Sequence, residues 1–179
     1  MVGDDELLPA ERKVQEALGD LPLDFRAMAV VSNLFRSSAA IRRHMEARVL
    51  ATDRLSWTSF VVLWVLWVWG DLEARELAAA VGISRPTGTG VVKTLEARGY
   101  VRRRKGATDG RMVIVSLTDE GRRKIEQLFP RFNAEEVVVT DHLGTDQQDA
   151  LATMLRSMLR RVGDEDRPEP EADRSPPRD

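Results

Sequence analysis

Apolar residues recur at helical spacing through most of this 179-residue chain, and the pattern breaks once, between about residues 100 and 117, where short β-rich runs replace it. From Phe25, the segment FRAMAVVSNLFRSSAAIRRHMEARVL places Met28, Val31, Leu34, Phe35, Ser38, Ile41, Met45 and Val49 on an approximate 3.6-residue period, about seven turns without Gly or Pro. Ahead of it, PAERKVQEALGDLP predicts a short amphipathic helix carrying Val14 and Leu18 and ended by Gly19 and Pro22. LSWTSFVVLWVLWVWGD predicts a helix capped by Ser56 and apolar on every side through Trp69, which implies burial on every side. Its longest apolar run, Phe60 to Trp69, is about half of what a membrane-spanning helix needs, so no transmembrane segment is expected.

The next stretch, LAAAVGISRPTGTGVVKTLEARGYV, reads as two helices joined by a tight turn, with Gly82 stopping the first and Ser84 capping the second. That order is helix-turn-helix grammar. YVRRRK and MVIVSL then form two β-rich runs joined by GATDGR, in which Asp109-Gly110 is a strong hairpin signal. A helix-turn-helix followed by a hairpin is a winged helix.

Beyond the hairpin, Thr118, Asp119 and Glu120 start another helix, with acids at the positive end of its dipole. Pro130 is expected to kink or restart it, and a capping box of Thr145 with Gln148 to open a last helix with Leu151, Met154, Leu155, Met158 and Leu159 as its apolar stripe. The chain therefore divides into N-terminal helices over 1–54, a winged helix-turn-helix over 55–117, C-terminal helices over 118–162, and an acidic, proline-rich tail over 163–179 expected to be disordered. The fold class is mainly α, with a two-stranded β-wing flanked by terminal helices. Those helices carry more apolar stripe than one small domain requires, so they are expected to form a dimerisation layer, with packing inside one chain as the competing explanation.

Charge sharpens the picture once it is divided along the chain. The last 17 residues hold seven acids and three bases, so residues 1–162 carry +2 although the whole chain carries −2. From Arg85 to Arg111 there are eight bases (Arg85, Lys93, Arg98, Arg102, Arg103, Arg104, Lys105 and Arg111) against only Glu96 and Asp109. By itself such a run is usually a solvated face, but its coincidence with the helix-turn-helix and wing points to phosphate contacts and double-stranded DNA. The absence of cysteine excludes a disulfide framework and thiol redox sensing. The start MVGDDELLPAERK has no basic and apolar leader, which makes a cytoplasmic protein the expectation. Two histidines, His44 and His142, on different helices, with no nucleophile elbow, phosphate-cradling glycine loop or metal-ligand cluster, leave no catalytic site, cofactor or metal to expect.

DGRMVIVSLTDEG, from Asp109 to Gly121, resembles the wing signature of the multiple-antibiotic-resistance-regulator (MarR) family, and with ELAAAVGISRPTGTGVVKTLEARGYVRR and LSWTSFVVLWVL the resemblance spans about residues 25–162. It implies a homodimer of winged helices that regulates transcription, by default as a repressor, and often responds to a small phenolic or other aromatic ligand. It makes Arg111 the wing residue that enters the minor groove, where enhanced negative potential favours arginine, and Asp109 the carboxylate that orients it. Asp109 can equally be read as only the turn residue before Gly110.

In the second helix of the motif, Gly88, Val91, Val92 and Leu95 share an inward face, leaving Arg85, Pro86, Thr89, Gly90 and Lys93 outward. Arg85 can read a guanine edge, Thr87 or Thr89 a base or thymine methyl, and Lys93 and Arg104 suit phosphate. Gly88 and Gly90 stand where larger residues are frequent in the family, which implies fewer direct base contacts and more reliance on wing and DNA shape. The family's usual ligand pocket would place His44 and Arg48 as polar anchors and Trp57, Phe60 and Trp64 as walls, although core packing is the favoured reading of the tryptophans and a surface or hydrogen-bonded helix position that of His44. The partners expected are a pseudo-palindromic operator, a second copy of the chain and an aromatic effector. A winged helix used as a protein-interaction module is the alternative.

Overall fold

The computed structural model describes residues 7–106 and 112–163, so the expectations about the tail and about Asp109 and Arg111 lie outside the described residues. The chain divides at His44–Met45 into two compact units.

In the first unit, helix α1 (Pro9–Leu18) starts with proline at its first position, where no amide donor is missed, and Glu11 Oε2 accepts from the Leu8 amide at 2.8 Å. Helix α2 (Phe25–Met45) is capped by Asp24, whose Oδ1 accepts from the amides of Arg26 and Ala27 at 3.0 Å each. Arg42, Arg43 and His44 complement the negative end of its dipole. Asn33 Nδ2 donates to Glu11 Oε1 at 2.9 Å, joining the two helices.

The expected long helix does not continue as an α-helix to Leu50. Glu46–Leu50 forms a π turn, closed by the Ala51 amide on the Glu46 carbonyl, and Ala51–Asp53 a single 3₁₀ turn. The extra residue in the π turn brings Val49 and Leu50 into the core together with Met45, which one face of an ideal α-helix would not do.

Helix α3 (Trp57–Trp69) is the centre of the second unit, and Ser56 caps it as expected, accepting from the Ser59 amide at 3.2 Å. Its Phe60, Val62, Leu63, Val65 and Leu66 are buried against helix α4 (Ala74–Val81), helix α5 (Arg85–Ala97) and helix α6 (Asp119–Thr140), in a core that includes Leu77, Val92, Leu95, Ile125 and Leu128. Burial on every side is not what the structure shows. Trp57, Val61 and Trp64 are half-buried and Val68 is exposed, a stripe at i, i+4, i+7 and i+11 that the neighbouring helices of this unit leave partly uncovered.

The sheet has three antiparallel strands rather than two. Strand β3 (Val113–Leu117) lies between strand β2 (Val101–Lys105) and strand β1 (Leu72–Glu73), with Arg103 opposite Val115 and Leu72 opposite Val115 on the other edge. Beyond it, α6 passes through Pro130 as one 22-residue helix, so the proline does not restart it. Helix α7 (Thr145–Arg161) is capped by Gln147, not by the expected Thr145 with Gln148: Gln147 Oε1 accepts from the Gly144 amide at 2.9 Å. Gln148 instead donates to the carbonyls of Thr140 and Leu143, satisfying the end of α6. Among the described residues no single helix is long and apolar enough to cross a membrane.

Candidate nucleic-acid interface

The turn between α4 and α5 is built as its sequence requires. Gly82 adopts φ 73°, its amide donates to Ala79 O and that of Ile83 to Ala78 O, each at 3.0 Å, which closes α4 with a left-handed glycine. Ser84 then opens α5, accepting from the Thr87 amide at 3.3 Å. Gly88, Val92 and Leu95 are buried and Val91 half-buried. A β-carbon on Gly88 would meet that of Ala78 at 3.2 Å, so this glycine has a packing reason: it lets α5 approach α4 closely.

Arg85, Pro86, Thr87, Thr89, Gly90 and Lys93 are all exposed on the opposite side. Two of them are already engaged. The Thr87 hydroxyl lies 2.8 Å from that of Ser84, and the Thr89 hydroxyl donates to the Arg85 carbonyl at 3.0 Å. Gly90 has nothing within 4 Å of a built β-carbon, so the middle of this face is bare backbone.

The basic run beside α5 is less free than its composition suggests. Arg103 forks onto Glu96 of α5, with Nε 2.8 Å from Oε2 and a further contact through Nη2; the side-chain hydrogen bond to Arg103 holds the Glu96 carboxyl below the usual carboxylate range and Glu96 raises the Arg103 guanidinium. Arg104, expected to meet phosphate, pairs with Asp71 at 3.2 Å while remaining half-exposed. Arg98 turns inward, donating to the carbonyls of Arg54 at 2.8 Å and Asp53 at 2.7 Å and lying over the Tyr100 ring. Neither Glu96–Arg103 nor Arg98–Asp53 was singled out by the sequence, which offers only the charges. Asp109 and Arg111 lie beyond the described strands, whose last described link is the Gly106 amide on Met112 O at 2.9 Å.

The β2 and α6 ends meet at a second fixed point. Thr118 caps α6 by accepting from the Gly121 amide at 3.0 Å, and its hydroxyl donates to the Gly99 carbonyl at 2.6 Å while its amide donates to Tyr100 O at 3.0 Å. The Leu-Thr-x-x-Gly close of the wing signature is thus a joint between the end of the α5 region and the start of α6.

Five residues, His44, Arg48, Trp57, Phe60 and Trp64, are expected around a ligand. His44 belongs to the first unit and the other four to the second. Arg48 pairs with Glu135 of α6 at 3.8 Å. Trp57 and Phe60 pack with Phe132, whose ring stacks on Phe60 at 4.2 Å between centroids, whereas Trp64 meets Trp69 edge-on at 5.4 Å. An apolar cavity of about 110 Å³ lies elsewhere, behind α5, lined by Leu77, Ala78, Ile83, Gly88 and Val92 among others.

Residues 55–113 match the model of the MarR family. The uncharacterised HTH-type transcriptional regulator YwaE of Bacillus subtilis (strain 168) is 41% identical over 136 residues, covering 76% of this chain and 80% of YwaE. Among solved structures, Bordetella bronchiseptica BpsR, described for regulation of its DNA binding by 6-hydroxynicotinic acid, superposes with TM-score 0.67 at 25% identity, over 73% of this chain and 98% of BpsR. The transcriptional repressor CouR, bound to a 23-mer DNA duplex, superposes with TM-score 0.66 at 29% identity, over 70% of this chain and 89% of CouR.

Proposed function

The chain belongs to the MarR family of DNA-binding transcriptional regulators, and we propose that it acts as a homodimeric repressor whose paired α5 helices read a pseudo-palindromic operator. The observation that carries this reading is the exposed face of α5: Arg85, Pro86, Thr87, Thr89, Gly90 and Lys93 point away from a core built by Gly88, Val92 and Leu95. Arg85 at the helix start reads a base edge, Lys93 and Arg104 hold phosphate, and Arg111 with Asp109 serves the minor groove. CouR supports the repressor assignment by its name and its bound duplex. A regulator of this kind works where the chromosome is, in the cytoplasm.

Dimerisation rests on apolar exposure in both units. Val30 and Phe35 of α2 are 55% and 72% exposed, Val137 and Val138 of α6 58% and 54%, and Met154 of α7 62%. Faces of this kind mark protein contacts. Sedimentation at micromolar concentration should give twice 20.1 kDa, and a monomer there refutes the dimer.

The deciding experiment selects duplexes from a randomised pool and measures binding against salt. Half-sites should lie about 10 to 10.5 base pairs apart, centre to centre, and the log-log salt slope should be steep. A flat slope favours the protein-interaction module instead. A small aromatic effector is the further part of the reading, supported by the regulation of BpsR by 6-hydroxynicotinic acid and by the half-buried Trp57–Trp64 stripe of α3. Titration of aromatic carboxylates should change tryptophan fluorescence and operator affinity at one concentration. Fluorescence changes without loss of operator affinity across a broad panel would leave α3 a packing helix only.

A further inference from the structure

Arg54 is the single non-glycine among the described residues with a left-handed backbone, φ 51° and ψ 41°. L-residues avoid this conformation, and where it persists the surroundings hold it. Here three cations from two helices close on the turn that Arg54 ends. From the C-cap of α5, Arg98 sends Nη1 to the Arg54 carbonyl at 2.8 Å and Nη2 to the Asp53 carbonyl at 2.7 Å. From α6, Lys124 Nζ reaches Asp53 Oδ1 at 3.1 Å, and Arg131 Nη1 reaches Oδ2 at 3.0 Å, with Nη2 on Val49 O at 3.4 Å. Lys124 and Arg131 are two helical turns apart, so they grip the carboxylate along the helix axis.

Arg98 does not face a carboxylate in this arrangement. Its planar fork is spent on two successive main-chain carbonyls, while its charge rests on the Tyr100 ring, 4.9 Å from the centroid, and Lys124 lies 6.0 Å over the same ring. That is a device for fixing distance and orientation more than for neutralising charge. The next two residues are held as well, because Thr118 at the start of α6 bonds the carbonyls of Gly99 and Tyr100. The C-terminal end of α5 is therefore pinned to α6 directly through Thr118 and indirectly through the 3₁₀ turn, while its N-terminal end carries the exposed face.

We propose that Arg98 is a positioning residue for DNA recognition, and that the Asp53–Arg54 turn is the coupling through which α6 sets the placement of α5. Arg98 touches no DNA; it holds α5 at one position relative to α6, and in a dimer that position fixes the separation of the two reading helices. The inference rests on α5 being the reading helix. Loosening the fork changes which half-site spacing is accepted rather than the number of phosphates neutralised.

The test uses the full chain, duplexes selected by the wild type from a random pool, and the same duplexes with one base pair added or removed between half-sites. Thermal unfolding is recorded for each variant. Wild type should prefer its selected spacing by roughly tenfold, within the ordinary range of coupling between sites. Arg98→Gln should flatten that preference while keeping the wild-type salt slope on random duplex. Arg98→Lys should behave like Arg98→Gln, because lysine keeps the charge but cannot span both carbonyls. Lys124→Gln, with Arg131 still holding Asp53, should flatten it in part from the α6 side and serves where the Arg98 variants fail to fold. A salt slope reduced by about one in Arg98→Gln would make Arg98 a phosphate contact and overturn the proposal. Lowered melting temperature with the spacing preference intact, or a wild-type preference in Arg98→Lys, would overturn it too. A wild type with no spacing preference would refute the paired-helix operator reading itself, and the coupling with it.

Discussion

The carbonyl oxygen of Tyr100 lies 1.9 Å from where the β-carbon of any side chain on Gly121 would stand. No rotamer avoids that contact, since both atoms are fixed by backbone. Gly121→Ala must push α6 away from the start of β2, and overpacking of this kind costs about 1 to 3 kcal/mol or more. Urea unfolding should show it as a lowered midpoint. Gly90→Ala is the opposite case: with nothing within 4 Å, it should raise stability by about 0.5 to 1 kcal/mol. Loss of stability in Gly90→Ala would mean that this helix face is not open.

Arg85 and Arg111 should separate from Lys93 in kind as well as degree. Arg85→Ala and Arg111→Ala should each weaken operator binding by roughly 1 to 3 kcal/mol and relax discrimination at their own positions. Lys93→Ala should weaken all duplexes alike and lower the salt slope by about one. Titration at fixed salt, repeated over a salt series, distinguishes the three.

Glu96 occupies the guanidinium fork of Arg103 that a phosphate would need. Glu96→Gln removes the carboxylate that the Arg103 fork occupies and leaves the strand cation unneutralised. Affinity for random duplex should rise and its salt slope should steepen. Unchanged binding would show that Arg103 does not reach the DNA.

The Asp53 hub ties stability to pH at the acid end. Burial pulls its carboxyl up, but the hydrogen bonds and charges of Lys124 and Arg131 together outweigh this and hold it below its ordinary value of 3.8. The folded value being the lower one, the stabilisation is complete above the unfolded value and is lost as pH falls through the folded value. Wild type should therefore lose stability relative to Asp53→Asn as pH drops below about 4, and the two curves should run parallel at neutral pH. Denaturant midpoints across an acid series would show the convergence, and parallel curves down to pH 2 would remove Asp53 from the acid transition.

Much of the fold was legible because its signals are local. Ser56, Ser84 and Thr118 each cap the helix that follows them, and Gly82 turns left-handed where the motif needs it. Strand β1 was missed because two residues carry no period, and its partners Ile114 and Val115 lie about forty residues on. Pro130 does not restart the helix because a helix interior can lose one donor when the remaining contacts of α6 hold it. On the candidate interface, the outward positions of α5 followed from helical spacing alone. What composition could not show is which charges are already spent: Arg98 was counted with the phosphate-facing bases and is directed into the protein, because main-chain carbonyls are invisible in a list of charges. Helical spacing puts Gly88 on the inward face, but only the structure shows Ala78 beneath it.

The π turn at Glu46–Leu50 also bears on ancestry. Such a turn is an α-helical turn with one residue inserted. Deleting a single residue there would restore a plain α turn with the residues after it still in phase, but would remove one of the two core side chains that Val49 and Leu50 now supply. A relative with an uninterrupted helix must therefore be one residue shorter at this point or seat a different side chain in the place of Leu50. When such chains are lined up, the gap belongs here, inside a helix, and not in the nearest loop.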